Sequence, residues 1–126
     1  MNRLILRIIK MQDYEDGKGG CRMPTAELEA LKDCFVNQLS PLTVYLFGSC
    51  VEGTDKPDSD FDFYIIVPDE QTDTLELAFR AYKAVRKVKK RPVDVLVGTQ
   101  SKFEQRRHLP TVENEVYRKG VLLYEQ

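Results

Sequence analysis

Leu46-Phe-Gly-Ser-Cys-Val-Glu-Gly53, followed by Pro57-Asp-Ser-Asp-Phe-Asp-Phe63, is the stretch on which the fold turns. A β-rich run, Thr43 to Phe47, leads into Gly48-Ser49, and a second one, Phe61 to Val67, is closed by Pro68. β-Branched and aromatic residues suit a pleated, buried surface and Gly, Ser and Pro interrupt it, so both runs read as buried strands. Between them, Cys50 to Ser59 contains Gly53, Pro57 and acidic residues, which predicts a short helical turn and then a loop. Alternate side chains of a strand share a side, so Asp60 and Asp62 are expected to project together while Phe61 turns into the core. A third run, Pro92 to Val97, sets Asp94 between Val93 and Val95. If that strand lies beside the second, Asp94 completes a cluster of three carboxylates.

Outward from this centre the spacing predicts helices. Pro24 and Thr25 open one in which Leu28, Leu31, Cys34 or Phe35, and Leu39 recur every three or four residues, ending near Ser40-Pro41. Thr72 or Asp73 can cap a long helix whose inward face is expected to be Leu75, Ala78, Phe79, Tyr82 and Val85, with basic residues on its other sides. Two more are expected, from about Ser101 to His108 and from Thr111 or Val112 to Lys119, where Gly120 is a natural stop. Val121 to Tyr124 reads as a short last strand. The pattern implies an α+β fold, a β-sheet with helices packed on it, over residues 23–126. Residues 1–22 end in turn formers and charges and read as an N-terminal extension of flexible composition.

Composition excludes several classes of function. At 126 residues, with 42% hydrophobic and 31% charged content, the chain has the makings of one globular core and too much apolar content for disorder. Its longest apolar run, Phe63 to Val67, is far below the roughly 20 residues that cross a bilayer. Arg7 interrupts the N-terminal Leu and Ile cluster and no small-residue cleavage site follows, so a cytoplasmic protein is expected. Cys21, Cys34 and Cys50 are widely spaced, with no Cys-x-x-Cys pair, and read as reduced thiols. A net charge of −1 argues against direct nucleic-acid binding. That balance hides an asymmetry: Glu52 to Glu76 holds nine acidic residues against Lys56 alone, whereas Arg80 to Arg91 holds seven basic residues and no acid.

Three carboxylates in one place repel one another and call for a counter-ion. Oxygen-only ligands favour Mg²⁺ or Mn²⁺ over zinc and suit a site shared with substrate phosphates. The reaction implied is phosphoryl or nucleotidyl transfer, in which Asp60, Asp62 and Asp94 would be metal ligands and Asp94 would accept the proton of the attacking hydroxyl. Gly48 would let backbone approach a phosphate, and Ser49 would add a hydroxyl donor. The blander readings are solvent-facing strand-end aspartates, an ordinary turn at Gly48-Ser49, and a solvated basic face from Arg80 to Arg91. His108 reads as a surface residue, Cys50 as a small turn residue, and Tyr45, Tyr64 and Tyr82 as core or rim aromatics.

Leu46 to Gly53, Pro57 to Phe63 and Val93-Asp-Val95, with the ending Glu115 to Glu125, together resemble the minimal nucleotidyltransferases of the polymerase-beta-type superfamily. The resemblance covers roughly Thr25 to Glu125 and implies a mixed sheet with helices packed on it. It also implies metal roles for Asp60, Asp62 and Asp94 and a nucleotide-binding role for Gly48 and Ser49. Members of this size are often antitoxins of toxin–antitoxin modules, which implies ATP as nucleoside triphosphate, a small helical HEPN-type toxin as partner, and a tyrosine of that partner as acceptor. One difference stands out: where the family commonly reads Gly-Ser-Arg-Ala-Arg-Gly, Cys50 and Glu52 replace the arginines. Either another basic residue compensates, with the Arg80 to Arg91 stretch as one candidate through the triphosphate or an acidic partner surface, or nucleotide binding is weak. Two alternatives stay open, a binding module that neutralises its partner by contact and a transferase acting on a small molecule. Homodimer and hetero-oligomer stay open too.

Overall fold

The computed structural model describes residues 25–53 and 59–126. The expected N-terminal extension, 1–22, lies outside these residues, as does part of the loop before Ser59. In chain order the elements are α1 (Thr25–Leu39), β1 (Thr43–Phe47), α2 (Ser49–Glu52), β2 (Phe61–Val67), α3 (Thr74–Val85), β3 (Val93–Thr99), α4 (Gln100–Arg106), α5 (Val112–Lys119) and β4 (Val121–Glu125). No helix among the described residues is long and apolar enough to cross a membrane.

Side-chain caps fix where the later helices begin. Asp73 accepts the Glu76 N–H at 3.1 Å, Thr99 the Lys102 N–H at 3.3 Å and Thr111 the Asn114 N–H at 3.2 Å, each satisfying a donor that a first turn leaves without a partner. At the other end of α1, Ser40 adopts a left-handed φ of 48° directly before Pro41, which cannot continue a helix.

The sheet is mixed, in the order β3-β2-β1-β4. β1 runs antiparallel to β2 and to β4, and β2 runs parallel to β3 through the α3 crossover. One face is covered by α1 and α3, where Leu28, Leu31, Phe35, Leu77 and Ala81 join Val44, Leu46, Phe61, Phe63, Ile65, Val93 and Val95 in one buried cluster. The choice left open in α1 falls to Phe35, which is fully buried, with Cys34 at the margin. The opposite face is covered by α4 and α5, where Phe103 and Val116 meet Tyr45, Phe47, Tyr64, Ile66 and Leu122. Two interior layers on one sheet explain why β1 and β2 are apolar on both faces.

Of the expected inward face of α3, Val85 is buried as expected, and Leu75, Phe79 and Tyr82 are corrected. Leu77, Ala81 and Val85 are the buried positions, whereas Leu75 (74% exposed), Phe79 (65%) and Tyr82 (42%) stand on the outer side. Both stripes have helical spacing, so periodicity alone favours the bulkier one. The fold buries the smaller one, with Leu77, Ala81 and Val85 in the cluster between α3 and the sheet. Tyr82 has a separate task, its hydroxyl accepting the Val95 N–H at 3.0 Å along the edge strand β3.

Candidate active site

Strand register assembles the candidate site. Phe47, the last residue of β1, pairs with Asp62 near the start of β2, and Asp62 pairs with Asp94 near the start of β3. Alternation puts Asp62 on the same face as Tyr64 and Ile66, so the carboxylates emerge on the α4–α5 side of the sheet. Asp94 is exposed between the buried Val93 and Val95.

Gly48 closes this arrangement. Its φ of 84° and ψ of −155° lie in a region open essentially to glycine, and a Cβ there would collide with Oδ2 of Asp62. Its carbonyl accepts the N–H groups of Val51 and Glu52, both at 3.1 Å, which bends the chain straight from β1 into α2. Ser49 therefore begins α2 beside the carboxylates.

The electrostatics match the crowding. Burial first, then the charges of Asp94, Asp60 and Glu115 and a hydrogen bond with the Asp94 carboxyl, push Asp62 up to about 6. Asp60 is exposed and sits one residue before β2, so it acts on Asp62 from the loop and not from the strand ladder. The structure thus brings Asp62 and Asp94 together and leaves Asp60 at the margin. Among the described residues no three acidic, His or Cys side chains already form a cation cage. The donor set is nevertheless oxygen-only and carries more negative charge than it can neutralise itself, which fits a hard divalent cation such as Mg²⁺ or Mn²⁺.

Helix α5 contributes residues that the sequence reading did not single out. Glu113, almost fully buried, accepts the Tyr64 hydroxyl at 2.7 Å and the Arg106 Nε–H at 2.9 Å, tying α5 to β2 and α4. Burial alone would raise the Glu113 carboxyl, yet these two donors hold it below its ordinary value. The same burial and the carboxylate beside it drive the Tyr64 hydroxyl far upward. Glu115 faces Asp62 electrostatically, and Lys119 lies 3.3 Å from Glu52 of α2. The four-residue spacing of Glu115 and Lys119 is visible in sequence as a shared helix face; what that face meets is not.

The Arg80 to Arg91 stretch, a candidate to compensate for the absent arginines or else a solvated basic face, lies in part on the far side of the sheet. Arg80 and Lys83 are on α3, which packs on the sheet face opposite Asp62 and Asp94, and with Gln38 and Ala84 they line a cavity of about 400 Å³ on that layer. Arg91 is engaged there too, 4.2 Å over the Phe61 ring and 3.6 Å from Glu27. Neither Cys34 nor Cys50 is in a disulfide, and His108 is exposed.

The candidate site is thus a glycine-closed strand end beside two strand-borne carboxylates. The profile of a family described as nucleotidyltransferase domain matches residues 28–123, and the chain belongs to that family. Among solved structures, a protein from Sulfolobus solfataricus with a provisional nucleotidyltransferase assignment superposes with a TM-score of 0.53 at 14% identity, over 93% of this chain and 88% of its own. It shares the fold, the mixed sheet and packed helices expected from the sequence. Two toxin–antitoxin structures, one with AMP-PNP and one of a mutant MntA–HpeT, match 78% of this chain and 73% of theirs, with a TM-score of 0.47 and identities of 21% and 22%. A search of curated proteins finds no match.

Proposed function

We propose that this chain is a Mg²⁺-dependent nucleotidyltransferase that moves AMP from ATP to a hydroxyl, that of a tyrosine on a small helical HEPN-type toxin, as the cytoplasmic antitoxin of a toxin–antitoxin module. The observation that carries the reading is the Asp62–Asp94 pair closed by Gly48. Like charges so placed weaken a fold, and nucleotidyl transfer gives them a use.

Asp60, Asp62 and Asp94 would hold the cation, Mg²⁺ or Mn²⁺, which when bound neutralises phosphate charge and acidifies the attacking hydroxyl. Gly48, lacking a side chain, lets the triphosphate approach the strand end, and Ser49 offers it a hydroxyl. The acceptor oxygen bonds to the α-phosphorus, the bond to the bridging oxygen breaks, pyrophosphate leaves, and Asp94, the exposed carboxylate, takes the proton.

Incubation with labelled ATP, Mg²⁺ and a HEPN-type protein from the adjacent reading frame tests this. The native chain should raise the mass of that protein by one or more adenylyl units, and Asp62→Asn should leave it unchanged. Cys50 and Glu52, in place of arginines, favour a second reading, neutralisation by contact alone. Equal neutralisation by native and Asp62→Asn chains, with no label transferred, would establish it instead.

A further inference from the structure

The negative charge gathered around the candidate site makes its source of positive charge a question. Glu52 ends α2, the four-residue helix that starts at Ser49 next to Gly48 and Asp62. A carboxylate there opposes a polyphosphate. Its partner is Lys119, whose Nζ lies 3.3 Å from Glu52 Oε1 although the two residues are 67 positions apart in sequence.

Three features of α5 deliver Lys119 to that point. Buried Glu113 anchors the helix through Tyr64 and Arg106. Glu115 and Lys119, four residues apart, share a helix face, and Glu115 on that face acts on Asp62. Gly120 then permits the close return, since a Cβ there would press on the Val116 carbonyl oxygen and crowd the Leu46 carbonyl oxygen of β1. The end of α5 is therefore held against the end of β1, where Gly48 begins the phosphate-side turn.

We infer that Lys119 is the triphosphate-binding cation of this chain, held on Glu52 until nucleotide arrives. This deepens the nucleotidyltransferase reading and rests on it. Both side chains are partly exposed, 47% and 39%, so their ion pair is weak and opens at little cost. A polyphosphate offers the ammonium several charged oxygens in place of one carboxylate, and the four-carbon stem of lysine lets the charge move to meet them. Glu52 is then a placeholder that keeps Lys119 oriented toward α2. Arg91 is a poorer candidate because it is stacked on Phe61 and paired with Glu27 from the opposite layer.

Calorimetry with Mg²⁺ and either a non-hydrolysable ATP analogue or AMP tests the assignment, with thermal melts as a folding control. Lys119→Met should weaken the triphosphate about ten- to hundredfold while changing AMP binding little. Lys119→Arg should retain most of the affinity, and Glu52→Gln should bind the triphosphate as tightly as the native chain or more tightly. Native-like triphosphate binding by Lys119→Met, or equal losses in Lys119→Met and Lys119→Arg, would overturn the role of Lys119. Weakening by Glu52→Gln would overturn the placeholder. A native chain that binds neither nucleotide would overturn the nucleotidyltransferase reading, and the assignment of Lys119 with it.

Discussion

Gly48 lies so close against the Asp62 carboxylate that a Cβ would collide with its Oδ2. The backbone there is also in a glycine-only conformation, with φ 84° and ψ −155°. Gly48→Ala should therefore cost about 1–3 kcal/mol of stability from backbone strain, more if Asp62 cannot move aside. If Asp62 does move, nucleotidyl transfer should be lost even at temperatures where the variant is folded. Urea unfolding monitored by circular dichroism, together with a transfer assay, reads both effects.

Asp62 and Asp94 share a register position and a hydrogen bond while repelling each other. Asp62→Asn removes one charge from the cluster and keeps the side chain's shape. In the absence of divalent metal the variant should be at least as stable as the native chain at pH 7, while transfer with metal falls by two orders of magnitude or more. A destabilised variant would mean that the carboxylate is held for structure.

Glu113 is a buried carboxylate whose stability contribution has a definite pH dependence. Its folded value is lowered from the ordinary 4.5. Its ionised form therefore stabilises the fold above that ordinary value, and the contribution is lost as the pH falls through the lower folded value. Glu113→Gln weakens the bonds from Tyr64 and Arg106, and because Arg106 is 44% exposed and can turn to water the cost should be about 1–3 kcal/mol at pH 7. The difference between variant and native chain should shrink as the pH falls below 4.5, which urea midpoints across the acid range would show.

The two apolar stripes of α3 should differ in their sensitivity to substitution. Leu77→Ala opens a cavity in the buried layer and should cost about 2–5 kcal/mol. Phe79→Ser, on the outer side, should change stability by no more than about 0.5 kcal/mol despite removing the larger residue. Chemical denaturation of the two variants side by side decides between the faces.

Local patterns determined much of the fold. β1 and β2 are legible because β-branched and aromatic runs bounded by Gly48-Ser49 and Pro68 have few other conformations to adopt, and α1 because its apolar period matches one helix face. Strand alternation puts Asp60 and Asp62 on one side in advance, whereas the pairing of Asp62 with Asp94 is only conditional on the third strand lying beside the second, which the sheet order supplies. Where two local patterns compete, or where the partner is distant in sequence, such reasoning has nothing to work with. The stripes of α3 have the same period, and only the space left by α1 and the sheet buries Leu77 and Ala81 and leaves Phe79 outside. Glu113 meets Tyr64 across 49 positions, and Lys119 meets Glu52 across 67. No periodicity encodes these contacts, because each depends on how α5 is docked against the sheet, and that docking is set by the packing of the whole α4–α5 layer.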